Sequence, residues 1–221
     1  MSARDAILGR IRNALANEPA VELPPPPELW PAGTWAAPPD LAERFFEELR
    51  AVKGEGRRCA SAEDLAEQVT AIDRELQGPR VAVADHPLCR EAVARLGPAR
   101  VEVVRPDWDR ARLADYPLGV MPAEFLLADT GTAVLLPRSH AERLLGYLPT
   151  VAVVVAPSGA LVPHLSDAWE ALARRAADLA VRGEVLLVTG PSRTADIEKK
   201  LVLGAHGPRR LVVMLYDTPG P

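Results

Sequence analysis

Arg80-Val-Ala-Val-Ala-Asp85, then Pro87 to Leu96, then Arg100-Val-Glu-Val-Val104: these three runs decide the fold. The first is short and apolar, and Gly78-Pro79 bounds it upstream, as expected for a buried strand. A short helix follows from Pro87 to Leu96, and the third run is again a strand. Strand, helix and strand in that order predict a parallel sheet joined by right-handed crossovers.

Upstream, Ser61-Ala-Glu-Asp64 opens a helix whose Leu65, Val69, Ile72 and Leu76 are spaced by four, three and four residues. Another helix is predicted from Leu41 to Lys53. Between Pro19 and Pro39 the chain carries eight prolines, with Pro24 to Pro27 in succession. That density predicts an extended polyproline-like connector, pinned to a surface through Trp30 and Trp35. Ahead of it, Ser2-Ala-Arg-Asp5 reads as a capping box for a helix that carries Ile7, Leu8, Ile11 and Leu15 on one side. The organisation expected is therefore a helix over 1–18, a connector over 19–39 and an α/β domain over 40–221.

Downstream the pattern changes. Phe125–Ala128, Ala133–Leu136 and Val151–Ala156 are apolar runs joined by short connections, which predicts antiparallel pairing. Ser166 and Asp167 start an amphipathic helix ending at Gly183, with Leu165, Ala168, Trp169, Leu172, Ala176 and Leu179 as its inner stripe. Glu184–Thr189 reads as a strand, Ser192–Leu201 as a short helix and Leu211–Tyr216 as a final strand. No internal repeat is present.

Composition narrows the function classes. The 221 residues are 48% hydrophobic and 25% charged, ordinary values for a globular chain, with a formal net charge of −4. No basic run exceeds a pair, so a nucleic-acid partner is not expected. No apolar run approaches the roughly 18 residues of a membrane span, and no signal-peptide pattern opens the sequence, so the cytoplasm is the compartment expected. Cys59 and Cys89 lie thirty residues apart and form no Cys-x-x-Cys, so no iron–sulfur cluster is expected on this chain. Redox chemistry would have to belong to a partner or a bound cofactor.

Two segments carry candidate chemistry. In Thr189-Gly-Pro-Ser-Arg-Thr-Ala-Asp196 an apolar strand is predicted to give way to a helix. There free backbone N–H groups and the helix dipole could hold an anion, with Arg193 as a charged second contact. An ordinary capped turn is the alternative. Ala128-Asp-Thr-Gly-Thr132 matches the Asp-Thr-Gly-Thr of aspartic proteases, whose chemistry needs two aspartates sharing a proton; a single copy in a helix-rich chain argues against it. A tight turn explains Gly131, and a ligand-facing turn near Glu124 is the rival. His206, in a loop before the last strand, shares no metal-ligand spacing with His86, His140 or His164, and no metal site is expected.

Three stretches together resemble the lactate-utilization protein C family, whose members carry the LUD domain. Leu118-Gly-Val-Met-Pro-Ala-Glu-Phe-Leu-Leu-Ala-Asp-Thr-Gly-Thr132 is similar to one family motif. Gly190-Pro-Ser-Arg-Thr-Ala-Asp-Ile-Glu198, followed by Leu201-Val-Leu-Gly-Ala-His-Gly-Pro208, is similar to its C-terminal signature. Ile11-Arg-Asn-Ala-Leu15 resembles the opening of the protein C branch. The resemblance implies a three-layer, mostly parallel α/β fold like that of the sugar-phosphate isomerase and CoA-transferase group. It also implies a part in oxidising L-lactate to pyruvate beside iron–sulfur subunits that carry the clusters. Carried over by position, the ligand-binding residues it implies are Glu124, Asp129, Thr130, Gly131, Thr132, Ser192, Arg193, Thr194, Asp196 and His206. It supplies no catalytic residue. Many relatives place a histidine just after the Leu-Pro that is Leu148-Pro149 here, where this chain has Val151.

Two roles compete at this point. One is a non-iron–sulfur subunit that binds a small anionic metabolite or docks partner subunits. The other is a free-standing transferase- or isomerase-like enzyme acting on a carboxylate- or phosphate-bearing metabolite. The Asp129–Thr132 and Gly190–His206 tracts are expected to converge on one cleft at a sheet edge. The N-terminal helix is expected to dock on another chain, a second copy or a cluster-bearing partner.

Overall fold

The computed structural model describes residues 3–16, 38–176, 184–194, 202–203 and 207–217. Residues 1–36 and 37–221 are separate units. In the first, α1 (Ala3–Ala16) is helical as its periodicity requires, and its Ile7 and Ile11 are exposed. Ser2 and the connector up to residue 37 lie outside the described residues.

In the second unit the chain runs α2 (Leu41–Ala51), β1 (Glu55–Cys59), α3 (Ala62–Leu76), β2 (Val81–Val83), α4 (Pro87–Ala92), β3 (Val101–Val103), α5 (Arg110–Ala114) and β4 (Leu118–Pro122). It continues through β5 (Phe125–Leu127), β6 (Thr132–Leu135), α6 (His140–Leu145), β7 (Val151–Pro157), β8 (Leu161–Val162) and α7 (Leu165–Ala176). β9 (Leu186–Val188), β10 (Arg193–Thr194), β11 (Val202–Leu203) and β12 (Arg210–Tyr216) complete it.

Six strands form one sheet in the order β1-β12-β7-β4-β2-β3, and every neighbouring pair is parallel. From β1 through β2 to β3 the chain moves toward one edge; from β3 through β4 and β7 to β12 it moves back. Right-handed crossovers then place α3 and α4 on one face and α5 and α6 on the other. The packing of α3 on α4, and of α5 on α6, agrees with that division. A smaller sheet, ordered β8-β5-β6-β9, pairs β5 with β6 and β6 with β9 antiparallel, and β5 with β8 parallel.

Local sequence explains most of these elements. Ser61 caps α3 by accepting from the Asp64 N–H at 3.2 Å, and Leu65, Val69 and Ile72 are fully buried. Gln77, in a left-handed conformation, ends that helix just before Gly78-Pro79. Asp73 on its inner face is buried, and Arg100 holds its carboxylate by two bonds at 2.7 and 3.0 Å.

Several expectations are corrected. Val151–Ala156 is not antiparallel: it is central in the parallel sheet, flanked by β12 and β4 and buried along its length. A strand covered on both faces reads as an unbroken apolar run whatever its neighbours' direction. β1 was not expected, because Glu-Gly-Arg-Arg-Cys has no apolar alternation. It is an edge strand, tied to its neighbour by Glu55–Arg210 and Arg58–Asp217 ion pairs, and charge suits an edge. β4 and α6 were likewise unassigned. Trp169, placed on the inner stripe of α7, is 63% exposed, while Ala168 and Leu172 are buried. The helix expected over Ser192–Leu201 is not formed at its start: residues 193–194 are strand and pair antiparallel with 202–203. Residues 195–200, and Leu179 and Gly183 of the longer helix expected earlier, lie outside the described residues.

Candidate functional site

In a parallel sheet, ligands collect beyond the carboxyl ends of two neighbouring strands whose outgoing connections cover opposite faces. Here those strands are β2 and β4. The chain leaves β2 through α4 on one face and leaves β4 toward β5 and α6 on the other. A crevice lies at that point, lined by Ala84, Asp85 and His86 after β2, by Met121 and Pro122 of β4, and by the segment Leu135–Arg138. Glu142 of α6 and Leu186 of β9 complete its wall.

Each polar group in this wall has a traceable origin. His86 is the N-cap of α4, and its Nδ1 accepts the Leu88 N–H at 3.3 Å. Burial holds the imidazole below its ordinary pKa, and the positive charge of Arg138 adds to the effect against the opposing carboxylates of Glu124, Glu142 and Asp85. Ser139 caps α6 by accepting from the Glu142 N–H at 3.1 Å, and Glu142 Oε2 accepts the Arg138 N–H at 2.7 Å. This reciprocal cap fixes the backbone of Arg138 at the crevice mouth. Asp85 is paired with Arg90, and Glu124 with Arg175 at 2.6 Å. Among the described residues, the Arg138 guanidinium has no ion pair and no hydrogen bond. Its donors are available to an anion.

The second polar cluster follows one edge of the smaller sheet and links all four strand ends. His164, after β8, bonds Asp129 at 2.9 Å; Asp129 accepts from Thr130 at 3.2 Å; Thr130 and Thr132 are 2.8 Å apart; Thr132 and Thr189 are 2.6 Å apart. The two turns dock on α2. A Cβ on Gly131, whose φ is +62°, would come within 2.3 Å of the Leu49 nitrogen, and one on Gly190, φ +87°, within 2.8 Å of the Val52 oxygen. Only glycine tolerates both the angle and the approach.

A protein-family model described as the LUD domain matches residues 42–216. The chain belongs to the LUD domain family. Among curated relatives, a lactate utilization protein C from Halalkalibacterium halodurans is 38% identical over 114 residues, 49% of this chain and 47% of the relative. Proteins of the same name from Bacillus velezensis and Bacillus subtilis are 35% and 33% identical over 101 residues each, 45% of this chain and 42% of theirs. The match thus spans about half the length of these relatives. A crystal structure of a DUF162 family protein from Deinococcus radiodurans superposes with a TM-score of 0.54 at 20% identity, covering 80% of this chain and 96% of that one. That likeness shows the α/β fold.

In this LUD domain the sequence-derived residues are distributed unevenly. Glu124 is half-buried and acts electrostatically on His86 of the crevice. Asp129, Thr130 and Thr132 are brought together with Thr189, which joins the first tract to the strand leading into the second. Ser192 is half-buried, its backbone N–H donating to Pro208 at 3.0 Å. Arg193 and Thr194 are in β10, and their side chains lie outside the described residues, as do Asp196 and His206 altogether. With no helix at 193–194, the helix-dipole account of anion binding there loses its basis. His86, Arg138 and Glu142 were missed. The signals that could have found them are a His-Pro pair just after a buried strand and a Ser-x-x-Glu cap directly behind an arginine.

Proposed function

We propose that this LUD domain serves a lactate-utilization system as a member without iron–sulfur ligands, and that it holds a small anionic metabolite in the crevice between β2 and β4. The observation that carries the reading is the Arg138 guanidinium at the mouth of that crevice, which has no partner among the described residues. The relatives' shared name supplies the metabolic setting. Cys59 and Cys89 are both buried and unpaired, and burial pushes Cys59 up to about 12 and Cys89 higher than its ordinary value. Two separated buried thiols are too few to hold a cluster of the four-cysteine kind, which supports a role beside subunits that carry the iron–sulfur clusters. No helix among the described residues is long and apolar enough to cross a membrane, in keeping with work in the cytoplasm. Of the residues implied by resemblance, Glu124 acts electrostatically on His86 of the crevice, and Asp129, Thr130 and Thr132 bond to one another at the strand ends of the smaller sheet.

One observation favours the other role: a histidine of lowered pKa lines the same crevice, so the site has a group able to act on a bound carboxylate. Calorimetry with L-lactate and pyruvate, together with co-purification with cluster-bearing subunits, separates the two. A subunit binds at least one acid, loses it in Arg138→Met, associates with those subunits and turns over nothing alone. Turnover by the isolated chain would establish the enzyme. Absence of both binding and association would overturn the proposal.

A further inference from the structure

The crevice contains one charged donor without a partner among the described residues, one histidine and an apolar wall, and their chemistry restricts what fits. His86 Nδ1 accepts a backbone N–H. A ring nitrogen that accepts carries no proton, so in the neutral imidazole the proton is on Nε2. Burial and Arg138 together favour that neutral form. His86 lines the crevice with Nδ1 committed to the backbone, so Nε2–H is the one ring donor left for a ligand. His86 in this state donates one hydrogen bond and accepts none from a ligand.

The surrounding carboxylates are already committed: Asp85 to Arg90, Glu124 to Arg175, Glu142 to the backbone of Arg138. They also repel a second negative charge. Met121, Leu135, Leu136 and Leu186 offer an apolar surface. The cavity is small, about 40 Å³, which favours a ligand of few heavy atoms.

We propose that the crevice selects a short 2-oxo monocarboxylate, with its carboxylate on the Arg138 guanidinium and its keto oxygen on the Nε2–H of His86. The proposal rests on the crevice being the anion site argued above and adds the ligand class. A keto oxygen has lone pairs and no proton, which matches a lone donor. A 2-hydroxy acid brings a proton of its own, for which the histidine has no acceptor, and an unsubstituted acid leaves Nε2–H unpaired. Both mismatches cost affinity when water is excluded.

The test is calorimetric titration of the intact chain with pyruvate, L-lactate, propionate and oxaloacetate, in wild type, His86→Asn and Arg138→Met. Asparagine is a good N-cap whose side-chain oxygen can accept the Leu88 N–H, so it preserves the start of α4, and its amide NH2, on a shorter side chain, stops short of the position of Nε2–H. Pyruvate is expected to bind about tenfold more tightly than lactate or propionate, the worth of one hydrogen bond, and oxaloacetate more weakly than pyruvate. His86→Asn should bring pyruvate, lactate and propionate to equal affinity, and Arg138→Met should abolish binding of all. Nitrogen NMR of labelled histidine reads the tautomer independently of any variant's folding, and an Nδ1–H tautomer would overturn the proposal. So would lactate binding as tightly as pyruvate, or a preference that survives His86→Asn; either result leaves the Arg138 anion site standing. If none of the acids binds, that site falls and the 2-oxo acid selectivity with it.

Discussion

The crevice between β2 and β4 and the polar edge of the smaller sheet differ in one respect that matters. Along the sheet edge, His164, Asp129, Thr130, Thr132 and Thr189 hydrogen-bond to one another in an unbroken series, and the accompanying glycines are fitted to the backbone of α2. In the crevice the carboxylates are occupied, while among the described residues the Arg138 guanidinium and the Nε2 of His86 have no partner. A cluster that satisfies itself stabilises a fold. A cluster that leaves donors unpaired beside an apolar wall is prepared for something from outside. The Asp-Thr-Gly-Thr run therefore belongs to the self-satisfied cluster, and the open one takes its polar groups, His86, Arg138 and Glu142, from outside the quoted motifs.

Four experiments would break or sharpen this contrast. The largest effect is expected for Gly131→Ala, which places a methyl against the Leu49 nitrogen at an angle that disfavours L residues. Strain and overpacking together should cost about 2–4 kcal/mol in chemical denaturation. A neutral result would mean the turn is free to move off α2. Next is Thr132→Val, which keeps the buried volume but removes the hydroxyl between Thr130 and Thr189. A loss of about 1–2 kcal/mol is expected, with acid binding in the crevice unchanged. Loss of binding at full stability would move the functional role to the sheet edge.

A smaller effect is expected from pH. Burial keeps the folded-state pKa of His86 below its unfolded value, near 6.5. The neutral ring thus contributes stability that is present above about pH 6.5 and lost as pH falls through the lower folded value. His86→Asn should remove that component from the dependence of the denaturation midpoint between pH 7 and pH 5; identical curves for the two proteins would refute it. The smallest effect belongs to Arg138→Ala. With no ion pair to lose among the described residues, it should shift stability by less than about 0.5 kcal/mol. A larger shift would show that Arg138 is structural.

How far the sequence could be read differs by element. The period of α3 and its Ser61 cap are local facts, and they hold because burial of Leu65, Val69 and Ile72 requires nothing beyond a flat apolar surface to pack on. The strand at 81–83 was legible for a similar reason, being apolar on both faces and bounded by Gly78-Pro79. β1 was not legible, since an edge strand is stabilised by pairing and by ion pairs such as Glu55–Arg210, which join residues 155 positions apart. The direction of Val151–Ala156 was not legible either, because the same six buried residues fit between parallel or antiparallel neighbours. At 193–194, Gly-Pro-Ser followed by acidic residues suits a helix start, and antiparallel pairing with 202–203 overrode that local preference.

The sequence by itself determined the fold class, the capped helices, the glycine turn at Gly131 and the family to which the chain belongs. All of these are written in neighbouring residues, through periodicity, caps and backbone angles. Which polar groups would be left without partners was decided only by the tertiary structure. His86, Arg138 and Glu142 come from a strand end, a loop and a short helix separated by up to 56 positions, and they meet because β4 returns beside β2 after the excursion through β3. A hydrogen-bond donor is free or occupied according to what surrounds it in space, and that is fixed when the crossover closes the sheet.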